Sequence, residues 1–163
     1  MLAATATAIQ VPNAEESGKV IADLLEKYRA ANGKVVHIQH KTPEGAPVFT
    51  PGTPLADEFP ALAPKDGEEV IWKQHPGSFA DTNLDAVLKG WGITKVVLTG
   101  YMAHVCVSTT ARQASQRKYD VLVVEDGVGD RDIPGFTGAE LTKVVLAEQG
   151  DIFATVVKSA NIQ

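Results

Sequence analysis

Val97-Leu-Thr-Gly-Tyr-Met-Ala-His-Val-Cys106-Val-Ser-Thr-Thr-Ala111 runs from an apolar strand straight into a helix, and the only cysteine of the chain stands at the junction. Amides at a helix N-terminus stabilise a thiolate, so a thiol placed there is a candidate nucleophile. Free cysteine is also among the most buried residue types, so this placement alone leaves a packing role open.

Outward from that stretch, strand and helix patterns alternate. Lys95-Val-Val-Leu-Thr99 is nearly all apolar, as suits a strand covered on both faces. A helix is expected over Val105–Lys118, a strand over Val121–Val124, a helix over Gly138–Glu148 and a last strand over Ile152–Lys158. Toward the N-terminus, Asn13 and Glu16 form a capping-box-like start. Val20, Ile21, Leu24, Leu25 and Tyr28 then share one face of a helix over about 14–31, which Gly33 ends. Val35–Ile38 and Val70–Trp72 read as strands, and Asn83–Leu88 as part of a short helix closed by Gly90. Between the first two strands, residues 42–66 carry six of the nine prolines, a long loop of the kind that is often functional. The alternation implies parallel βαβ units with right-handed crossovers: one α/β domain over residues 1–163, a three-layer α/β/α sandwich with a parallel central sheet. Ligands of such sheets bind outside the carboxyl ends of the strands, where His40, Lys73, residues 101–106 and residues 125–132 fall.

Composition narrows the class. With 163 residues, 44% hydrophobic and 21% charged, the chain can bury one core. A net charge of −5 and the lack of any basic run argue against nucleic acid or an anionic membrane as partner. One cysteine excludes an internal disulfide framework, and no apolar run approaches the ~20 residues that span a bilayer. The N-terminal Met1–Gln10 lacks the basic and apolar regions of a signal peptide, so a cytoplasmic location is expected, with unconventional secretion as the alternative.

Lys73 ends its strand, where an ammonium could stand beside the thiol and favour attack on a carbonyl. Val70-Ile-Trp-Lys73, Gly77-Ser-Phe79, Leu84 through Leu88, Val96-Val-Leu-Thr-Gly100, and His104-Val-Cys106-Val107 with Thr110-Ala111 follow one another in the chain. In this order they resemble the isochorismatase-like cysteine hydrolases, a family that includes nicotinamidases and other small amidohydrolases. The resemblance runs over roughly residues 9–160. It implies a Rossmann-like parallel sheet and a cysteine, a lysine and an aspartate acting together on an amide or related bond of a small molecule. By motif, Cys106 would be the nucleophile and Lys73 its cation, and the amides of Ala103 and Cys106 would form the oxyanion hole. The resemblance also implies a cis peptide between Met102 and Ala103, and assembly into homo-oligomers. A subgroup cleaves the vinyl ether of isochorismate without a cysteine, so isochorismate or a related compound belongs among the implied substrates.

The chain departs from the family at its start. Members open with an apolar strand ending in an aspartate that serves as general base, and nothing in this sequence matches it. The absent strand would lie between those at 34–38 and 95–99. Its loss would leave buried amides unpaired, at about 1–3 kcal/mol each, or force those strands together. A shortened gene product, a replacement strand over Ala6–Gln10 and a partner chain are the three explanations. Asp126, Asp130 and Asp132, after the fourth strand, read as turn residues with surface ion pairing to Arg131 rather than as a substitute base.

His37 and His40 are three apart on one strand and so face opposite sides, which does not support a metal pair; neither a metal nor a cofactor is expected. His40 and His104 are candidate substrate contacts, and Ser78, Phe79, Tyr101 and Met102 candidate pocket walls. Gly127-Val-Gly129 lacks the third glycine and the helix start of a dinucleotide fingerprint. Three functions follow: a cysteine hydrolase acting on an amide-type bond, a catalytically silent binding or assembly module that lacks the base, and a redox-sensing thiol.

Overall fold

The computed structural model describes residues 10–46, 48–54 and 56–162. Its elements are α1 (Ala14–Ala30), β1 (Val36–His40), β2 (Glu69–Lys73), α2 (Leu84–Gly90), β3 (Lys95–Tyr101), a π-helical turn (Ala103–Val107), α3 (Ser108–Gln116), β4 (Asp120–Gly129), α4 (Gly138–Ile152) and β5 (Thr155–Val157). All strand pairs are parallel.

Alternation along β4 divides the core between two faces. Val121 and Val123 join Ala111 and Ala114 of α3 and Leu141 and Val145 of α4. Leu122 and Val124 turn the other way, toward Leu24 and Tyr28 of α1. The sheet is thus covered on both sides, and the expected three-layer α/β/α arrangement is present. Each fully buried aliphatic side chain of this kind contributes about 1.5–3 kcal/mol.

Among the described residues the strands form two sheets, β1–β2 and β3–β4–β5, and β1 and β3 are not paired with each other. Of the two consequences expected from a missing opening strand, strands forced together are not seen among the described residues. The replacement strand suggested over Ala6–Gln10 lies outside the described residues, apart from Gln10, which is not in a strand.

Several expected elements are corrected. The helix expected over 105–118 is a π-turn followed by the shorter α3. The strand expected over 121–124 runs on to Gly129, because its pairing with β3 jumps from Leu98↔Val123 to Gly100↔Val128, matching two steps on β3 to five on β4. Gly100 takes this irregularity at φ +111°, a conformation that disfavours a side chain. The last strand is confined to Thr155–Val157, since α4 continues to Ile152. Asn13 does precede α1, but its side chain makes no capping bond. Its Oδ1 is instead turned onto Gly129, where a Cβ would stand 2.5 Å away. The capping box that does form, Thr137 with Glu140, starts α4.

Candidate active site

Lys73 owes its position to the period-two alternation of β2, which turns Ile71 and Lys73 inward and Val70 and Trp72 outward. It is 4% exposed, and a buried ammonium needs an acceptor for each of its three N–H groups. Three are present: the His75 carbonyl at 3.0 Å, His40 Nδ1 at 3.0 Å and Cys106 Sγ at 3.2 Å.

His40 faces Lys73 directly across the β1–β2 register. Because Nδ1 accepts from the lysine, the hydrogen-bond network assigns its proton to Nε2. Burial, and then the positive charge of Lys73, hold the ring's pKa below its ordinary value. Phe49, from the proline-rich loop, meets the ring edge-on at 5.4 Å.

Cys106 lies in the π-turn. Within that turn the amides of Val105 and Val107 both donate to the Met102 carbonyl at 3.2 Å, and the His104 amide donates to Asp130 Oδ2 at 2.7 Å. Among the described residues, the amides of Ala103 and Cys106 donate to no acceptor outside the turn. The cis peptide expected between Met102 and Ala103 is instead between Tyr101 and Met102, one residue earlier.

Lys73, His40 and Cys106 therefore come together, whereas other expected pocket residues are engaged elsewhere. Ser78 bonds Thr110 through both its amide and its hydroxyl, at 3.1 and 2.9 Å. Phe79 is core: it stacks on Tyr119 at 5.9 Å and lies under the Arg117 guanidinium. Gly77 lets this loop close on α3, since a Cβ there would come within 2.2 Å of Gln113. The Tyr101 hydroxyl reaches α1, 2.7 Å from Ser17 Oγ and 3.3 Å from the Ala14 carbonyl. Met102 serves the turn through its carbonyl. The His104 ring is held by Asp130, with Nδ1 2.7 Å from Oδ2.

The reading of Asp126, Asp130 and Asp132 is also corrected, because Asp126 lies within β4 and none of the three pairs with Arg131, whose guanidinium donates to the Asp132 carbonyl. Asp126 accepts from the Ser159 amide and hydroxyl, Asp132 accepts from the Gly138 amide at the start of α4, and Asp130 is 1% exposed against the nucleophile turn. No carboxylate reaches Lys73 among the described residues. His37 and His40 do point apart: His37 lies between Glu58 and Glu68, at 3.0 and 2.9 Å.

A buried lysine donating to a thiol at the entry of a helix, behind parallel strands, is an arrangement for nucleophilic attack. A family model, the isochorismatase domain, matches residues 5–160. The chain belongs to the isochorismatase family. Its members are hydrolases, and so is this chain by membership. It is 60% identical over 154 residues to a protein of Verticillium dahliae named secreted isochorismatase effector Isc1, covering 94% of this chain and 81% of that one. It is 35% identical over 128 residues to a streptothricin hydrolase of Streptomyces noursei, covering 78% of this chain and 50% of that one. The crystal structure of an isochorismatase from Pseudomonas putida KT2440 superposes with a TM-score of 0.91 at 31% identity, covering 94% of this chain and 81% of that one.

Proposed function

We propose that the chain hydrolyses an amide-type C–N bond of a small molecule, with Cys106 as nucleophile and Lys73 as the cation that sustains its thiolate. The observation that carries this reading is the unbroken line Cys106 Sγ, Lys73 Nζ, His40 Nδ1, with steps of 3.2 and 3.0 Å. The Lys73 ammonium donates to Sγ and so stabilises the thiolate once the thiol proton has left to water, while neutral His40, accepting from the same ammonium, holds it in place. Sulfur then adds to the carbonyl carbon, and the oxyanion faces the amides of Ala103 and Cys106. Collapse breaks the C–N bond, the departing nitrogen takes a proton from the Lys73 ammonium, which regains one from water, and a thioester remains. Water attacks the thioester, giving the acid and restoring the thiol.

The relative named streptothricin hydrolase supports hydrolysis of a small molecule. Turnover of isochorismate or a related vinyl ether, which needs no thiol, is separated from amide cleavage by the Cys106→Ala variant. Ammonia released from small primary amides should vanish in that variant, and equal release by both proteins would remove the thiol from the reaction.

A second reading is favoured by one observation: among the described residues β1 and β3 each have one edge with no strand partner, and by the resemblance an aspartate-bearing strand belongs there. On this reading the chain is a catalytically silent binding or assembly module. Ordinary enzymatic rates of amide hydrolysis would defeat it.

The partners proposed are the small-molecule substrate and further copies of this chain. Exposed Val144 and Ile152 on α4 support assembly, and the net charge of −5 opposes nucleic acid and anionic membranes. No described helix is long and apolar enough to cross a membrane. A relative named as secreted supports export over the cytoplasmic location expected from the N-terminal segment, and fractionating a culture of the source organism decides between them.

A further inference from the structure

We propose that Asp130 is a positioning residue for the oxyanion amides, holding the nucleophile turn through His104. This rests on the cysteine-hydrolase reading above and deepens it. Asp130 is 1% exposed, and its carboxylate accepts from three N–H groups: the His104 amide at 2.7 Å, His104 Nδ1 at 2.7 Å and the Arg131 amide at 2.9 Å. Two of the three belong to one residue of the π-turn, so backbone and ring of His104 are fixed together. Charge-assisted bonds of this kind are about twice as strong as neutral ones, and a buried carboxylate that loses its donors is costly.

The geometry of the turn gives that grip a consequence for the reaction. The Val105 and Val107 amides are taken by Met102 and the His104 amide by Asp130, so Ala103 and Cys106 supply the amides that donate to nothing outside the turn among the described residues. His104 lies between those two residues in the chain, so its φ and ψ enter the orientation of one amide relative to the other. Lys73 touches the turn through the sulfur, from β2, and bonds none of its backbone amides. Asp130 bonds the backbone of the turn from the position just after β4.

The fold commits Asp130 to this place twice. The jump in β3–β4 pairing carries Gly129 level with Tyr101 and so brings Asp130 beside the turn. Gly138 then packs so tightly on the Asp130 carbonyl that a Cβ would come within 2.3 Å, while Asp132 holds the Gly138 amide at 2.7 Å. Segment 130–138 is thus closed on itself behind the carboxylate.

Two reactions of the same sulfur test the proposal. Alkylation of Cys106 by iodoacetamide is displacement at a saturated carbon and makes no oxyanion. Acylation by p-nitrophenyl acetate passes through one, forms the acetyl thioester and expels p-nitrophenolate. In the full chain, Asp130→Asn should slow the p-nitrophenolate burst by roughly tenfold or more and leave the rate and pH profile of alkylation within about twofold. His104→Ala, which loses the ring bond and keeps the amide bond, should slow the burst selectively but less, and it carries the test if Asp130→Asn does not fold. His104→Gln, which restores a side-chain N–H donor, should recover most of the rate. Unchanged acylation in the variants, or acylation and alkylation falling in parallel, overturns the positioning role. A wild-type chain that gives no burst overturns the cysteine-hydrolase reading, and this proposal with it.

Discussion

His40 Nδ1 lies 3.0 Å from Lys73 Nζ, directly across the β1–β2 register. Lys73 therefore has a neutral nitrogen, not a carboxylate, as its side-chain partner besides the thiol. The charge on the lysine is consequently not neutralised by an acid in hydrogen-bond contact among the described residues.

That contact sets the pH behaviour of the site. Burial first, and then Lys73 and His75, hold His40 below its ordinary 6.5, so the ring stays neutral as pH falls past that value. The acylation rate should hold through pH 6.5 and decline only below it, and His40→Gln should abolish that acid limb. A limb at or above 6.5 in the wild-type rate profile would exclude His40 as the group responsible.

Lys73 is charged and 4% exposed, so its replacement separates reactivity from stability. Lys73→Met should slow iodoacetamide alkylation at neutral pH by about tenfold, because the donor to Sγ is gone. The melting temperature should stay level or rise, since replacing a buried charge with an apolar chain of similar volume is often neutral or stabilising. Parallel loss of both would show that the lysine is mainly structural.

Arg29 grips Glu68 through Nε and Nη2, each at 2.7 Å, and tethers the loop before β2 to α1. With Arg29 as the main cause, Glu68 titrates at about 2, against 4.5 ordinarily. A carboxylate with a depressed folded-state pKa gives stability that is present above 4.5 and lost as pH falls toward 2. Urea midpoints measured over that window should fall in the wild-type chain, and Arg29→Met should flatten the slope. An equal slope in the variant would place the acid sensitivity elsewhere.

The edge of β3 that has no strand partner among the described residues should be visible in hydrogen exchange. In a parallel strand successive residues bond to opposite neighbours, so β3 amides directed at β4 should be protected and the alternate ones should exchange much faster. β4, paired on both sides, should be protected throughout its regular part. Uniform protection along β3 would mean that another strand fills the gap.

The reactive pair was legible in the sequence for local reasons. Cys106 follows an apolar strand at a helix entry and Lys73 ends an alternating strand, which made both candidates, and the order of motifs that resembles the family paired them. His40 was legible as a residue at a strand end, though not as the partner of Lys73, because that contact needs the β1–β2 register. Ser78 and Phe79 were read as pocket wall and proved to be packed on α3 and Tyr119. Loop composition does not say which neighbour a side chain will face. Asp130 was missed outright, since an Asp-rich segment rich in glycine reads as a turn whether or not the chain buries it.

By itself the sequence determined the order of strands and helices, their parallel pairing and the placing of Lys73 and Cys106 at strand ends. Those follow from side-chain period and from signals a few residues long, which act before distant segments meet. Only the tertiary structure decided that β1 and β3 stand apart, that the β3–β4 register jumps, and that Asp130 is thereby carried to His104, 26 residues away in the chain. Those outcomes depend on which strand edges pair and in what register, a competition among long-range contacts that no local pattern encodes.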